Sequence, residues 1–483
     1  MPYIIVIVNL RQFRVILYME KKLGKYFSSS GEVFSWLSRF INFESGQILR
    51  AFRLERMEAL AELAGHPEHC APVIHIAGSK GKGSVTGMIA SVLEADGRRA
   101  ARYMSPHISD YRERICLGNS FFDEAVYCEA GDELWDLAES AAARNSLFSV
   151  AGDEPSFFEM LTLLFFICAK NSRCDVTVVE TGMGGRLDAT NIVDPLLSVI
   201  TLIELEHTSF LGDTIPAVAG EKAGIIKPGK PLLLARQNGE ALDVFKKRAL
   251  EKNSPLLYFP DIAAVENVKI HPGGTDFTLE LFGKNSSYNF SIPIPGTVQA
   301  ENAGLAVTAI KTVFSNIRED TIRRGLAQVK IPARFERISF GKDDGRVENP
   351  PVILDGAHTP ESASLCAETF VSLYGEGGIL LFGCAADKNA SAMAEILLPR
   401  FSHVYITAPG TFRMSEPEKV YRAFAEGLSG RGADKTVFVK ETREAIKQAL
   451  ETGRGKKLPV LCTGSFYLAS EVRNIICDGD SIL

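Results

Sequence analysis

The sequence predicts an α/β protein in which a P-loop-type domain with a mostly parallel sheet is followed by a smaller Rossmann-like α/β domain. The chain has 483 residues, more than a single core usually holds. Strand-like and helix-like segments alternate from residue 73 onward, which is typical of parallel, doubly wound sheets. A second series of alternating strand-like and helix-like segments begins after Pro332. We therefore expect one domain over 31–332, a second over 333–483, and an N-terminal extension over 1–30.

The N-terminal extension is apolar but fits no export or anchoring signal. Its longest apolar run, residues 3–8, is shorter than a signal-peptide core or a membrane span, and no small-residue cleavage site follows it. The pattern favours a true start at Met19, with an extra edge strand as the structural alternative.

A glycine-rich loop follows the first predicted strand, in the segment VIHIAGSKGKGS at residues 73–84. Its glycines let backbone N–H groups close on an anion, and Lys82 would reach the outer phosphates of a nucleotide. Ser84 or Thr86 is expected to open the following helix, whose apolar residues recur at three-four spacing. The spacing departs from the usual P-loop because Gly83 separates the lysine from the hydroxyl. A tight strand-to-helix turn is the alternative interpretation.

Short apolar runs predict the remaining strands, and most of them end close to glycine, histidine or hydroxyl residues. In the first domain the runs cover 100–104, 176–180, 197–205 and 231–235. The stretch 268–294 alternates polar and apolar residues around two turns, which predicts an antiparallel hairpin or sheet edge, and a helix over 299–314 follows. In the second domain the strands lie in PPVILDGAH, GGILLFGCAADK, HVYIT, KTVFVK and LPVLCTGS.

Composition excludes several classes of function. A net charge of −6 argues against a general nucleic-acid binder, which needs a basic surface to displace counterions. The nine cysteines form no CxxC pair and have no histidine partners at zinc spacing. We therefore expect reduced thiols and a cytoplasmic location, with no membrane partner.

Ligand-type side chains follow several predicted strands. Glu180 ends one strand directly before the turn TGMGGRLDATN, where its carboxylate suits Mg²⁺ shared with substrate phosphates. Ser105 follows a second strand, His207 follows a third, and Lys222 lies in the short segment GEKAG. A lone histidine is more often structural than a ligand. Because parallel strands deliver their carboxyl ends to one sheet edge, these groups are expected to converge.

At this point the chain resembles the folylpolyglutamate synthase/dihydrofolate synthase family of the Mur-ligase superfamily. The matching stretches lie in the family's order between residues 78 and 468. They are GSKGKGS, SPHISDYRERI, SFFEMLT, ETGMGGRLDATN, EHTSFLGDT, EKAGIIKPG, GTVQAENA, PARFE, LDGAH, DKN and TGSFYL. ETGMGGRLDATN and EKAGIIKPG are specific to this family rather than to P-loop proteins generally.

The resemblance implies a role for each matching position. ATP would be bound by Lys80, Gly81, Lys82, Gly83, Ser84, Asn302, Arg334, Asp355 and His358. Magnesium, in two sites, would be bound by Ser105, Glu180, His207 and Lys222, the last as a carbamylated lysine. Dihydropteroate would be bound by Ser156, Phe157, Phe158, Glu159, Leu187, Asp188 and Ala189. Lys82, Lys222 and His207 would be the catalytic residues.

The implied activity is ATP-dependent amide ligation, joining L-glutamate to dihydropteroate, to the γ-carboxylate of reduced folates, or to both. ATP would convert a carboxylate into an acyl phosphate, which the glutamate amine then attacks. The partners would be these small molecules, and the protein would act as a monomer. Lys80, Glu204, Glu206 and Thr359 depart from the residues usual in the family, as do Phe52 and Arg53, which bears on pterin binding.

Two other functions fit part of the evidence. A Mur-type ligase acting on a peptidoglycan precursor would share the phosphate loop and the modified lysine, but we expect an additional N-terminal domain for its nucleotide-sugar substrate. A third hypothesis is a nucleotide-binding regulatory protein that has lost catalytic activity. Joint retention of Lys82, Glu180, His207 and Lys222 argues against it.

Overall fold

The computed structural model describes residues 3–10, 13–20, 26–42, 53–143, 154–284, 286–338, 350–410, 414–427 and 431–477. At the N-terminus, β1 (Tyr3–Leu10) and β2 (Phe13–Glu20) pair with each other as an antiparallel hairpin. This hairpin is a separate two-stranded sheet, so the first residues do not add an edge strand to the main sheet.

The first domain is built on an eight-stranded sheet. Its strands are β3 (Val73–Ala77), β4 (Ala100–Tyr103), β5 (Ile115–Leu117), β6 (Ser120–Phe121), β7 (Val176–Glu180), β8 (Leu197–Ile200), β9 (Leu232–Leu234) and β10 (Leu256–Tyr258). Their spatial order is β10-β9-β8-β3-β7-β4-β5-β6, and all neighbours are parallel except at the β4-β5 and β5-β6 edge. The strand order reverses direction around β3, which is where such sheets bind ligands.

Helices cover both faces of this sheet. They are α1 (Ser30–Leu37), α2 (Leu54–Leu63), α3 (Lys82–Ala95), α4 (Glu124–Ala143), α5 (Phe157–Asn171), α6 (Thr208–Leu211), α7 (Ile215–Lys222), α8 (Gly239–Glu251), α9 (Phe259–Ile262), α10 (Thr297–Val313) and α11 (Glu319–Ala327). One core contains α3, α10 and α11, and a second contains α1, α2, α4 and α5. Because both faces of the sheet are covered, every residue of β3 and of β7 is buried, including the polar residues His75, Thr177 and Glu180.

The predicted antiparallel element over 268–294 is confirmed and is larger than the sequence indicated. It comprises β11 (Ala263–His271), β12 (Gly274–Leu281) and β13 (Ser286–Ile292), which form their own three-stranded sheet. Phe277 and Phe290 turn inward from it and join the core beneath α10.

The second domain carries a six-stranded sheet with strand order β14-β15-β19-β16-β17-β18, in which only β14 is antiparallel to its neighbour. The strands are β14 (Glu336–Ile338), β15 (Val352–Leu354), β16 (Gly378–Phe382), β17 (Phe401–Ile406), β18 (Thr436–Phe438) and β19 (Val460–Thr463). The helices are α12 (Pro360–Tyr374), α13 (Ala390–Leu397), α14 (Pro417–Glu426), α15 (Thr442–Lys456) and α16 (Phe466–Cys477). The predicted fold class is therefore confirmed, whereas the exact boundary at 332 stays a prediction.

Two local predictions were wrong. The strand expected over 197–205 ends at Ile200, because the chain then leaves the sheet and the Leu202 carbonyl accepts the N–H groups of Ser79 and Lys80. The helix after the glycine-rich loop does not open at Ser84 or Thr86. It begins at Lys82, since Gly81 takes a left-handed conformation with φ 89° immediately before it.

Candidate functional site

A cleft of about 530 Å³ lies where the two domains face each other. Most residues assigned to ligands from the sequence line it. These are Lys80, Gly81, Lys82, Gly83, Ser84, Ser105, Ser156, Phe158, Glu159, Glu180, Leu187, Asp188, Ala189, His207, Asn302, Arg334, Asp355 and His358. Two others, Phe157 and Lys222, lie behind the lining. The structure thus brings residues from several separate loops, strand ends and helices to one space.

The glycine-rich loop is packed too closely for side chains. A Cβ added at Gly78 would lie 1.8 Å from Thr201 Oγ1, and one added at Gly81 would lie 2.3 Å from Asn302 Oδ1. Lys82 Nζ donates to the Gly78 carbonyl at 2.8 Å, so its charge is held at the loop. The N-terminal turn of α3 presents unpaired backbone N–H groups to the same side. This arrangement suits an anionic ligand.

Ser84 adds an open hydrogen-bonding group to the loop. Its hydroxyl is buried, and among the described residues it has no hydrogen-bond partner. A buried hydroxyl without a partner is costly, so its position next to the cleft favours a ligand-binding role over a packing role.

Glu180 is a buried carboxylate at the end of β7, with 3% of its surface exposed. Its Oε2 accepts the Ser105 backbone N–H at 3.3 Å. Burial raises its pKa to about 7, although the nearby Lys82 acts to lower it. The protein's own positive charges therefore do not fully offset the cost of burying the ionised Glu180 carboxylate. A cation in the cleft would favour the ionised form.

Lys222 lies at the C-terminal end of α7, beneath the glycine-rich loop, with 1% of its surface exposed. Its Nζ donates to the Gly78 carbonyl at 2.7 Å and to Glu206 Oε1 at 2.8 Å. Burial lowers the pKa of this amine to about 8, against the opposing effect of Glu206. Burial acts to raise the pKa of Glu206, but Lys82 and Lys222 outweigh it and hold that pKa at about 2.

His207 precedes α6 in a left-handed conformation with φ 47°, which is uncommon outside glycine. Its side chain is open to the cleft. Desolvation by the surrounding walls lowers its pKa to about 4, so the ring is neutral at physiological pH and has a lone pair to offer.

The second domain contributes Arg334 to the cleft. Its guanidinium lies 4.2 Å from the centroid of the Phe466 ring, and a Cβ at Gly83 would lie 3.8 Å from its Nη2. Ala333 and Phe335 on either side both have positive φ, at 53° and 48°. Backbone strain of this kind is common at ligand-binding sites, so it supports the assignment of Arg334 to a ligand.

Asp355 and His358 follow β15 at the facing edge of the cleft. Asp355 accepts the backbone N–H groups of Phe335 and Ala357, both at 2.8 Å, so it fastens the segment that carries Arg334. His358 Nδ1 lies 2.7 Å from the Gly356 carbonyl, and burial lowers the pKa of its ring to about 3. Its neutral ring therefore faces the cleft through the other nitrogen.

In the segment expected to bind a pterin, residues 156–159, several side chains stabilise the fold. Ser156 and Glu159 form a capping box at the start of α5, and Glu159 Oε1 pairs with Arg56 Nε at 2.8 Å in a buried ion pair. Phe157 packs edge-on against Tyr111 and does not line the cleft. Phe158 does line it, and a Cβ at Gly182 would lie 2.4 Å from its ring. Of this segment, Phe158 is thus the side chain placed to stack on a ligand.

Asp188 also stabilises the fold, through hydrogen bonds within the turn after β7. Its two oxygens accept the N–H groups of Met183 and Thr190 and the Thr190 hydroxyl, and that hydroxyl lies 2.8 Å from His75 Nε2. This network fixes the turn after β7, on which Leu187 and Ala189 reach the cleft. Sequence reasoning missed the role of His75, which the strand pattern hides among apolar neighbours.

The cleft residues that were not assigned from the sequence include Arg56, Lys388 and Phe466. Lys388 and Phe466 lie within the matching stretches DKN and TGSFYL, so a signal for them was present. Arg56 lies in α2 outside any matching stretch, and only its buried pairing with Glu159 reveals it.

Comparison with known domain families defines the class of protein. Residues 137–310 match the Mur ligase middle domain, and residues 334–466 match the Mur ligase glutamate ligase domain. The two matched ranges, which carry Glu180 and Lys222 in the first domain and Arg334 and Asp355 in the second, therefore belong to one class, the Mur ligases.

More specific relatives place the chain within that class. It is 32% identical to folylpolyglutamate synthase of Lacticaseibacillus casei over 88% of this chain and 95% of that protein. It is also 32% identical to dihydrofolate synthase/folylpolyglutamate synthase of Bacillus subtilis, over 87% and 94%. The structure of Mycobacterium tuberculosis folylpolyglutamate synthase complexed with ADP and AMPPCP has a TM-score of 0.82 at 28% identity, covering 94% of this chain and 99% of that one. The chain belongs to the folylpolyglutamate synthase/dihydrofolate synthase family.

Proposed function

We propose that the protein is an ATP-dependent amide ligase that joins L-glutamate to dihydropteroate, to the γ-carboxylate of reduced folates, or to both. The observation that carries the proposal is the convergence of Lys82, Glu180 and Arg334 around the tight glycine at position 83. Two cations and one buried carboxylate, from two domains, suit transfer of a phosphoryl group. Relatives of this family provide the direct support, including a complex of folylpolyglutamate synthase with AMPPCP and folate.

The glycine-rich loop fits the triphosphate of ATP. Its glycines let the backbone pass close to Thr201 and Asn302, its helix N-terminus offers N–H groups, and the buried Ser84 hydroxyl has no hydrogen-bond partner among the described residues. Arg334 and Asp355 approach from the second domain, so closure of the two domains would complete the nucleotide site. Asn302 contacts the loop at Gly81 and would fix its shape.

The first magnesium site fits Glu180 and the Ser105 hydroxyl. Glu180 is an incompletely compensated buried carboxylate, and hard oxygen donors are what Mg²⁺ requires. The ion, when bound, supplies positive charge that stabilises the transferring phosphoryl group.

The second magnesium site fits only a modified Lys222, because an ammonium group repels a metal ion. The lowered pKa of Lys222 leaves a substantial fraction of neutral amine at physiological pH, which is the form that adds CO₂. The carbamate would then be an anion beside the Glu206 carboxylate, and a cation between them would relieve the repulsion. The neutral His207 ring lies ready as a further ligand.

The chemistry follows from these positions. A carboxylate does not condense with an amine in water, so the pterin or folate carboxylate attacks the γ-phosphorus of ATP, and ADP leaves. Lys82 and Arg334 stabilise the charge on the phosphoryl group during this step. The amine of glutamate then attacks the acyl carbon, and phosphate leaves as the amide forms. The second domain, which carries Arg334, Asp355 and His358, would exclude water that hydrolyses the acyl phosphate.

The pterin ring would bind at the Phe158 end of the cleft. Phe158 and Leu187 offer partly exposed apolar faces, and Arg56 and Asp188 hold the two segments that carry them.

We also propose that the protein acts as a monomer in the cytoplasm, since one chain supplies both walls of the cleft and its described cysteines are free thiols. No helix in the described part of the chain is long and apolar enough to cross a membrane.

Substrate-dependent release of ADP tests the proposal. Purified enzyme is incubated with ATP, Mg²⁺ and L-glutamate, together with dihydropteroate, tetrahydrofolate or a UDP-muramyl substrate in separate reactions. We expect release with one or both pterin substrates and none with the UDP-muramyl substrate. Release with the UDP-muramyl substrate alone would instead favour the peptidoglycan ligase. Absence of release with all three would refute the ligase function.

A further inference from the structure

We infer that His66, Glu68 and His69 form a binding site for a divalent transition-metal ion of the Zn²⁺ type. The three residues lie in the turn that joins α2 to β3, remote from the cleft. The glycine-rich loop follows the far end of β3, and a five-residue strand spans about 17 Å. The site is therefore separate from the magnesium positions proposed above.

The backbone of the turn places the two histidines on one side. Pro67 opens a 3₁₀-helix over Pro67–His69, and His66 precedes it in a left-handed conformation with φ 56°. The two imidazole rings stack across this turn, with centroids 5.4 Å apart and planes 14° apart.

The carboxylate of Glu68 lies between the two rings. His66 Nδ1 is 2.9 Å from Glu68 Oε1, His69 Nε2 is 3.7 Å from the same oxygen, and all three ligand atoms lie within 4.8 Å of one another. Ligands about 2.1 Å from a tetrahedral ion are about 3.4 Å apart. To enclose an ion, His66 Nδ1 and Glu68 Oε1 would have to separate by about half an ångström. The two histidine nitrogens, which lie at most 4.8 Å apart, would have to close to about 3.4 Å.

The burial of Glu68 is the independent observation that points to a cation. Its side chain is only 4% exposed, and among the described residues its second oxygen, Oε2, has no hydrogen-bond partner. A buried, incompletely paired carboxylate is costly. The two histidine side chains, in contrast, are 51% and 60% exposed, so water can fill the remaining coordination positions.

The donor set selects the class of ion. Two imidazole nitrogens and one carboxylate suit Zn²⁺, Ni²⁺ or Cu²⁺, whereas Mg²⁺ prefers oxygen ligands and its own water. An ion here would fasten the end of α2 to the start of β3, where the turn packs against α5. Because the ion would bind only the folded arrangement, we expect it to raise the melting temperature without taking part in catalysis.

The site is tested by isothermal titration calorimetry, in which Zn²⁺ is added to the full chain in the presence of excess Mg²⁺. We expect one Zn²⁺ per chain for the wild type and at least about tenfold weaker binding for the double variant His66→Asn, His69→Gln. Asparagine tolerates the left-handed backbone at position 66, which protects the fold. The single variant Glu68→Gln keeps the shape of the carboxylate and is expected to weaken binding to a similar degree.

The matched control is His271→Asn. His271 is also a histidine near a carboxylate, 3.6 Å from Asp276 Oδ1, but among the described residues it belongs to no cluster of three metal-ligand side chains, and we expect full Zn²⁺ binding. Equal binding by the wild type and the double variant, or no binding by the wild type, would overturn the inference. Co²⁺ substitution separates the histidine site from the nine cysteines. A thiolate charge-transfer band in the Co²⁺ spectrum of the wild type would also overturn it.

Discussion

The buried Glu180 carboxylate predicts a trade-off between stability and function. Its pKa is raised from 4.5 to about 7 by burial, so the folded state holds a proton that the unfolded chain has already lost. Between these two values stability falls as pH rises, and each pKa unit corresponds to about 1.4 kcal/mol. Above pH 7 the ionised group therefore costs the nucleotide-free enzyme about 3 kcal/mol relative to its neutral form.

Glu180→Gln removes that titration while keeping an acceptor for the Ser105 N–H. We expect the variant to be more stable than the wild type by about 3 kcal/mol at pH 8 and of equal stability at pH 4, as the neutral carboxyl and the amide are isosteric. We also expect it to lose ligase activity. Denaturant unfolding from pH 4 to pH 8 without Mg²⁺ or nucleotide measures the difference.

The control is Glu376→Gln, which alters an exposed carboxylate and is expected to leave the pH dependence unchanged. A Glu180→Gln variant that is destabilised equally at every pH would refute the reasoning, because the cost would then arise from packing rather than from charge. Adding Mg²⁺ with a non-hydrolysable ATP analogue should stabilise the wild type more than the variant.

The other predictions concern the loop, the lysine and the arginine. Lys222→Ala should abolish ligation with the fold intact, and short carboxylates should restore part of the activity; full activity without them would exclude a carbamate. Gly81→Ala should weaken ATP binding at least about tenfold, since the new Cβ meets Asn302 Oδ1 at 2.3 Å and φ is 89°; unchanged binding by calorimetry would argue against the loop as the phosphate site. Arg334→Lys keeps the charge but loses the planar stacking on Phe466, and steady-state kinetics should show a fall in kcat of at least about tenfold; an unchanged kcat would remove Arg334 from the phosphoryl-transfer step.

Sequence patterns were sufficient for the parts of the site that rest on regular strands. Glu180 ends a strand of five buried residues, and the short apolar run at 176–180 predicted both ends of that strand. The convergence of Ser105 and Glu180 follows from parallel topology, since carboxyl ends of strands meet at one edge, whereas His207 reaches the cleft from the start of α6, beyond the end of β8. The alternation after Pro332 likewise predicted the second sheet.

Features that depend on contacts between distant segments could not be predicted. The early end of β8 follows from the Leu202 carbonyl, which bonds to the glycine-rich loop rather than to a strand. The buried Arg56–Glu159 pair joins residues 103 positions apart, and the packing of Phe157 away from the cleft depends on Tyr111. Local sequence carries no signal for such pairings, because loop geometry and side-chain packing determine them.

Transfer of ¹⁸O tests the central claim most directly, namely that the cleft activates a carboxylate with ATP for attack by glutamate. The pterin or folate substrate is labelled with ¹⁸O in the reacting carboxylate, and the released phosphate is analysed by mass spectrometry after one round of ligation. Formation and aminolysis of an acyl phosphate predict one ¹⁸O atom in each phosphate. Ligation that yields phosphate without ¹⁸O would contradict the account.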